Sequence, residues 1–80
     1  MAAKEIRSHL PGIFYRSPSP DDPPFKQDGD AVAAGDVVGL VEVMKSFHEV
    51  KADKAGSNIK FALNNEDAVM AGQTLAEIEV

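Results

Sequence analysis

Where apolar and polar positions alternate along this chain, they do so with a period of two. Val37-Val38-Gly39-Leu40-Val41-Glu42-Val43 is valine-rich and too β-branched for a comfortable helix, so it predicts a strand. Over residues 47–52 the alternation is strict: His48, Val50 and Ala52 fall on one face, and Phe47, Glu49 and Lys51 on the other. Ile59, Phe61 and Leu63 alternate with Lys60, Ala62 and Asn64, which predicts another strand with one buried face. Residues 4–8 and 12–15 predict two shorter strands. No segment holds a 3.6-residue period over three turns, so the predicted class is all-β.

Between the two valine- and phenylalanine-led runs only Met44, Lys45 and Ser46 remain to turn the chain. That spacing predicts a hairpin with Lys45 at its tip. The residues that usually make such a turn (Gly, Asn, Asp, Pro) are absent, and local rules are most often broken where function requires it. Residues 16–24 hold four of the five prolines and the pair Asp21-Asp22. Proline fixes φ and lacks an N–H, so this piece cannot be an interior strand. It reads equally as a linker or as an ordered excursion from the domain.

An internal repeat organises the rest. Residues 27–43, QDGDAVAAGDVVGLVEV, align without gaps on residues 64–80, NNEDAVMAGQTLAEIEV, at an offset of 37, with seven of 17 positions identical. The identities include Asp30/Asp67, Val32/Val69, Gly35/Gly72 and Glu42/Glu79. Two copies of one supersecondary unit, each covering the other's apolar face, are the physical reading. Upstream the match continues at an offset of 44, pairing Gly12 with Gly56 and Arg7 with Lys51. The change of offset measures an insertion of about seven residues in the first half, falling on residues 17–23. In the second half Glu66 replaces Gly29 at a turn that favours positive φ.

Eighty residues allow one domain, over residues 1–80, with a modest core. With no cysteine, disulfides, zinc-thiolate sites and thiol nucleophiles are excluded. A net charge of −5 argues against a nucleic-acid partner and suits a module that meets other proteins. The first residues carry Lys4, Glu5 and Arg7 and no long apolar run, and no segment is long enough to span a membrane, so a cytoplasmic location is expected.

Candidate chemistry is sparse. His9 and His48 have no metal-ligand spacing and no nucleophile partner, no phosphate-binding loop or paired acid and base appears, and no catalysis or metal site is expected. Lys45 is the one candidate: an amine on a rigid protrusion is suited to presentation to a modifying enzyme. An ordinary surface lysine between strands fits the same stretch. Met44 at the tip suits recognition by a partner groove as well as plain packing. Lys54, within Asp53-Lys54-Ala55, pairs in the repeat with Leu10 rather than with a hairpin tip, and is read as structural.

Glu42-Val43-Met44-Lys45, together with the repeat and the run Gly12-Ile13-Phe14-Tyr15-Arg16-Ser17-Pro18-Ser19-Pro20-Asp21, resembles the biotin carboxyl carrier domains of acetyl-CoA carboxylase over almost the whole chain. Ser46 stands where that family has a second methionine. The resemblance implies a flattened β-barrel or sandwich of two four-stranded antiparallel sheets related by a pseudo-two-fold axis. It implies covalent biotin on Lys45, with Glu42, Met44 and Ser46 read by a biotin protein ligase. It also implies a non-catalytic carrier role in fatty-acid synthesis, in which a biotin carboxylase loads the biotin and a carboxyltransferase unloads it to acetyl-CoA. Ser17, Pro18, Ser19, Pro20, Asp21, Asp22 and Pro23 match that family's protruding thumb, which touches the biotin. Two alternatives stay open: a lipoyl-type acyl carrier, in which Asp53-Lys54-Ala55 is similar to the lipoyl motif, and an unmodified β-sandwich that binds proteins.

Overall fold

The computed structural model describes residues 2–80. Its elements are β1 (Ala3–Arg7), β2 (Gly12–Tyr15), β3 (Val37–Val43), β4 (Ser46–Lys51), β5 (Ser57–Phe61), β6 (Ala68–Val69) and β7 (Thr74–Glu79). They form two antiparallel sheets, β1-β7-β5 and β4-β3-β2-β6, that stay separate rather than closing into a barrel.

The repeat maps one sheet onto the other: β4 corresponds to β1, β3 to β7, and β2 to β5. The expected fourth strand of the first sheet is reduced to a single bridge, Val32 with Gly56, the image of the Val69–Gly12 pair in the second. The reason lies in β5, whose register against β7 shifts between Ser57 and Lys60, with Asn58 at φ 52. A bulge there takes the residue after Gly56 out of line, so the pairing that Ile13 continues with Ala68 is not continued by Ser57.

The bulge also changes the count. Beyond it the correspondence runs at 45, because the Phe14 N–H donates to Asp67 O as that of Ile59 does to Asp30 O. Likewise the Arg16 N–H is held by Asn65 Oδ1 and the Phe61 N–H by Asp28 Oδ1. Ten residues, 17–26, thus separate Arg16 from Gln27, where only Ala62 and Leu63 separate Phe61 from Asn64.

Matching turns close both copies. Asp30 and Asp67 each accept from the N–H three residues back, at 2.9 and 2.8 Å. Asp36 and Gln73 cap the next turn of each copy in the same way. Glu66 sits at φ 71 where Gly29 has φ 95, so the non-glycine residue at this turn does adopt the strained conformation.

Packing follows the same symmetry. One apolar cluster contains Val32, Val38, Ile59 and Ile78, and the other Val69, Leu75, Phe14 and Val41, which are their images in that order. Bulges at Val38 and Leu75, both fully buried, turn corresponding residues inward. One pair of positions differs in volume. Phe14 lies against Gly39, where an added Cβ would come within 2.5 Å of the ring, whereas the smaller Ile59 leaves room for Ala76 at the equivalent place. The alternation of residues 47–52 survives only in part: Ala52 is buried, Val50 is half-buried and His48 is exposed. The β3–β4 ladder runs past the end of the core towards its turn, so the first residues of the alternation have no opposite sheet to meet.

Candidate functional site

The β3–β4 hairpin closes more tightly than its sequence suggests. Glu42 pairs with Phe47 and Val43 with Ser46, which leaves a two-residue turn of Met44 and Lys45. Both have positive φ, 48 and 68, as a type I′ turn requires. This turn is normally built from Asn-Gly, and non-glycine residues held there cost about 1–3 kcal/mol each. The strain is retained because seven residues of β3 and six of β4 fix the ends of the turn. The turn projects its side chains into solvent: Met44 is 94% exposed, Lys45 and Ser46 are also exposed, and among the described residues the Lys45 amine has no hydrogen-bond or ion-pair partner.

Beside the tip, Glu42 Oε1 accepts a hydrogen bond from the Tyr15 hydroxyl at 3.1 Å. That bond, with desolvation and the negative charges of Glu42 and Glu66, pushes the Tyr15 phenol above its ordinary value. The Tyr15 ring meets Phe47 at 5.8 Å between centroids. Phe47 is 58% exposed, an unusual place for a large aromatic outside an interface.

Residues 17–23 form a loop standing over this pair. The Phe25 N–H donates to Arg16 O across the base of the loop, and the Asp22 N–H to Ser19 O within it. Ser17 Oγ donates to Ser19 O and Ser19 Oγ to Asp22 Oδ2, so two of the side chains are committed to the loop's own shape. Pro18, Pro20, Asp21 and Pro23 are exposed. At the base the Arg16 guanidinium lies 4.2 Å over the Phe61 ring and 3.8 Å from Asp28. A cleft of about 460 Å³ opens between loop and hairpin, lined by Tyr15, Ser17, Pro18, Ser19, Pro20, Phe47, Asn65 and Glu66.

Of the sequence candidates, the structure brings Glu42, Met44, Lys45, Ser46 and the 17–23 loop to one end of the four-stranded sheet. Lys54 lies apart, in a bend after Ala52, next to Asp53, which pairs with Lys4 at 3.6 Å. Tyr15, Phe47, Asn65 and Glu66 were not among the candidates. Phe47 carried a signal, a large aromatic on the polar face of the alternation, but the cleft joins segments some fifty residues apart that no local pattern connects. The side chains at this end include no nucleophile paired with a base, and among the described residues no group of His, Asp and Glu is placed to hold a metal. The arrangement presents an amine and walls a cleft.

Two pseudo-symmetric antiparallel sheets, one of them carrying a tight hairpin with a free lysine at its turn, define the biotinyl and lipoyl type of domain. The chain belongs to the biotin-requiring enzyme family, whose profile matches residues 4–78. It is 42% identical over 73 residues to the biotin carboxyl carrier protein of acetyl-CoA carboxylase from Chlamydia pneumoniae, covering 91% of this chain and 44% of that one. It is 40% identical over 74 residues to the protein of the same name from Haemophilus influenzae, covering 92% and 48%. The chain thus spans less than half the length of these relatives. The crystal structure of Kluyveromyces lactis urea carboxylase contains a segment similar to it, at a TM-score of 0.79 and 34% identity, covering 98% of this chain and 6% of that protein.

Proposed function

We propose that this protein is a non-catalytic biotin carboxyl carrier of an acetyl-CoA carboxylase, with biotin joined as an amide to Lys45. The observation that carries the reading is Lys45 itself, at a strained turn with its amine unpaired in solvent. Two similar proteins named as carriers of this kind support it. When bound, biotin supplies a ureido nitrogen that takes up and releases a carboxylate, and the protein supplies position. The residues present fit such a group, because the cleft beside the tip combines Tyr15 and Phe47 with backbone and side-chain polar atoms of the 17–23 loop. In this reading the loop is the thumb, an insertion into a single 1–80 domain, and Glu42, Met44 and Ser46 meet the biotin protein ligase.

Biotin carboxylase and carboxyltransferase are the other partners, and the cytoplasm is the working compartment. Tethering keeps the group near both enzymes at an effective concentration on the order of mM. Glu42 holds Tyr15 in place at the cleft, and Phe47 floors it. The test is co-expression with a biotin ligase followed by streptavidin capture and peptide mapping. Lys45 should be labelled and Lys54 left free, Lys45→Arg should abolish capture, and Ser46→Met should speed labelling. Label on Lys54, or lipoate in place of biotin on Lys45, overturns the reading.

A further inference from the structure

The internal symmetry supplies a control for which surface residues the fold itself demands. On the outward side of the four-stranded sheet two cross-strand rows lie next to the hairpin tip: Tyr15-Leu40-Glu49 and Ile13-Glu42-Phe47. Their images on the three-stranded sheet are Lys60-Glu77-Glu5 and Ser57-Glu79-Ala3. The same backbone positions thus carry Tyr, Leu, Ile and Phe in one copy and Lys, Glu, Ser and Ala in the other. Because the second sheet folds with polar residues there, packing of sheet on sheet does not require the apolar ones. The 17–23 loop, which has no image in that half, meets Tyr15 and Phe47 only across the cleft and leaves Phe47 58% exposed. Phe47 is exposed and Ile13, Tyr15 and Leu40 are half-buried beside it, and partly exposed apolar surface that the two sheets do not need marks a contact surface.

We infer that this outer face, centred on Leu40 and Phe47, is the docking surface for the enzyme that acylates Lys45, which offers it an apolar projection flanked by basic side chains. The inference rests on the carrier reading above. Position argues for this occupant. Strands rise about 3.3 Å per residue, so Leu40, four residues before the turn, is roughly 13 Å from it, and Phe47 is closer. A standard interface covers about 800 Å² on each partner, a radius of roughly 16 Å, so an enzyme taking the tip into its active site covers one face of this hairpin. On the opposite side, a cleft lined by Leu10, Val41, His48 and Val50 carries the basic Arg7 and Lys51 at its border, unlike the acidic surround of the outer face. Charge argues for the partner's rim: Glu42 and Glu49 lie in the two rows, and Glu66, Asp21 and Asp22 border the cleft and its loop, on a chain of net charge −5.

Three of the four exchanges install the residue that the image position already carries, and His48→Ser serves as a control on the opposite side. Initial rates of biotin incorporation into the unmodified protein, with purified biotin protein ligase, biotin and ATP, are measured over a range of protein concentrations. Leu40→Glu and Phe47→Ala should each raise KM about tenfold or more while leaving kcat unchanged and the protein folded at the assay temperature. Glu77→Leu and His48→Ser should change neither constant. An unchanged KM in both Leu40→Glu and Phe47→Ala, or an equal effect from His48→Ser, overturns the docking face while leaving the carrier reading intact. If the parent protein takes up no biotin on Lys45, the carrier reading fails and this inference fails with it.

Discussion

Glu42 is one of two glutamates in equivalent places, yet the structure gives it a role that Glu79 does not share. It accepts from the Tyr15 phenol beside the tip, whereas Glu79 accepts from the Asn58 amide at the bulge. The Tyr15–Glu42 bond has a direct signature, since Tyr15 is the only tyrosine in the chain. Its proton is held by a carboxylate, so its folded-state pKa lies above the ordinary value of about 10. A group raised in this way contributes stability that is present below the unfolded pKa and lost as pH rises through the folded one. Alkaline titration followed by tyrosinate absorbance should show the raised value, and Glu42→Gln should bring it down towards that of free tyrosine. Identical titrations for parent and variant would show that the bond is not held in solution.

Among the elements, the 17–23 loop is the one that the symmetric frame does not require. Deleting residues 17–23 leaves Pro24, Phe25 and Lys26 between Arg16 and Gln27, where the second half closes with two residues. The deletion should therefore leave both sheets intact, at a cost of about 1 kcal/mol by denaturant unfolding, the size of an ordinary single substitution. In the carrier reading the deletion also spares biotin attachment and alters transfer between the partner enzymes. The loop's own order is checked separately. Its prolines leave it less entropy to lose on ordering, and its base is pinned by Arg16 and Phe25. NMR order parameters across it should match those of the strands, and values as low as those of a free chain end would make it a tether.

At the scale of the whole molecule, the two halves solve one packing problem with different volumes. Phe14 with Gly39 in one cluster does the work of Ile59 with Ala76 in the other. Adding a methyl group at residue 39 drives it into the Phe14 ring and towards the Tyr15 carbonyl, so Gly39→Ala should cost about 1–3 kcal/mol. Gly39→Ala with Phe14→Ile recreates the combination found in the other half. The double variant should be more stable than the sum of the two single changes allows, by about 1 kcal/mol, in a double-mutant cycle of denaturation midpoints. Strict additivity would show that the two positions do not share one space.

The period-two alternation and the repeat at 37 determined the strands, their pairing into equivalent halves and the place of the hairpin, because those patterns are local or are carried by matching residues. Strand count, insertion length and the true turn were decided only in three dimensions. The bulge at Asn58 reduces one strand to the Val32–Gly56 bridge and moves the offset from 44 to 45, and a bulge leaves no mark in hydrophobic alternation. Pairing of Val43 with Ser46 shortened the turn to Met44-Lys45 and forced both residues to positive φ, which no propensity for Met or Lys would predict. The cleft was the least legible feature. Tyr15, Phe47 and Glu66 meet only because β2, β4 and the turn before β6 belong to one sheet, and long-range strand order is set by burying both apolar faces at once rather than by any single stretch.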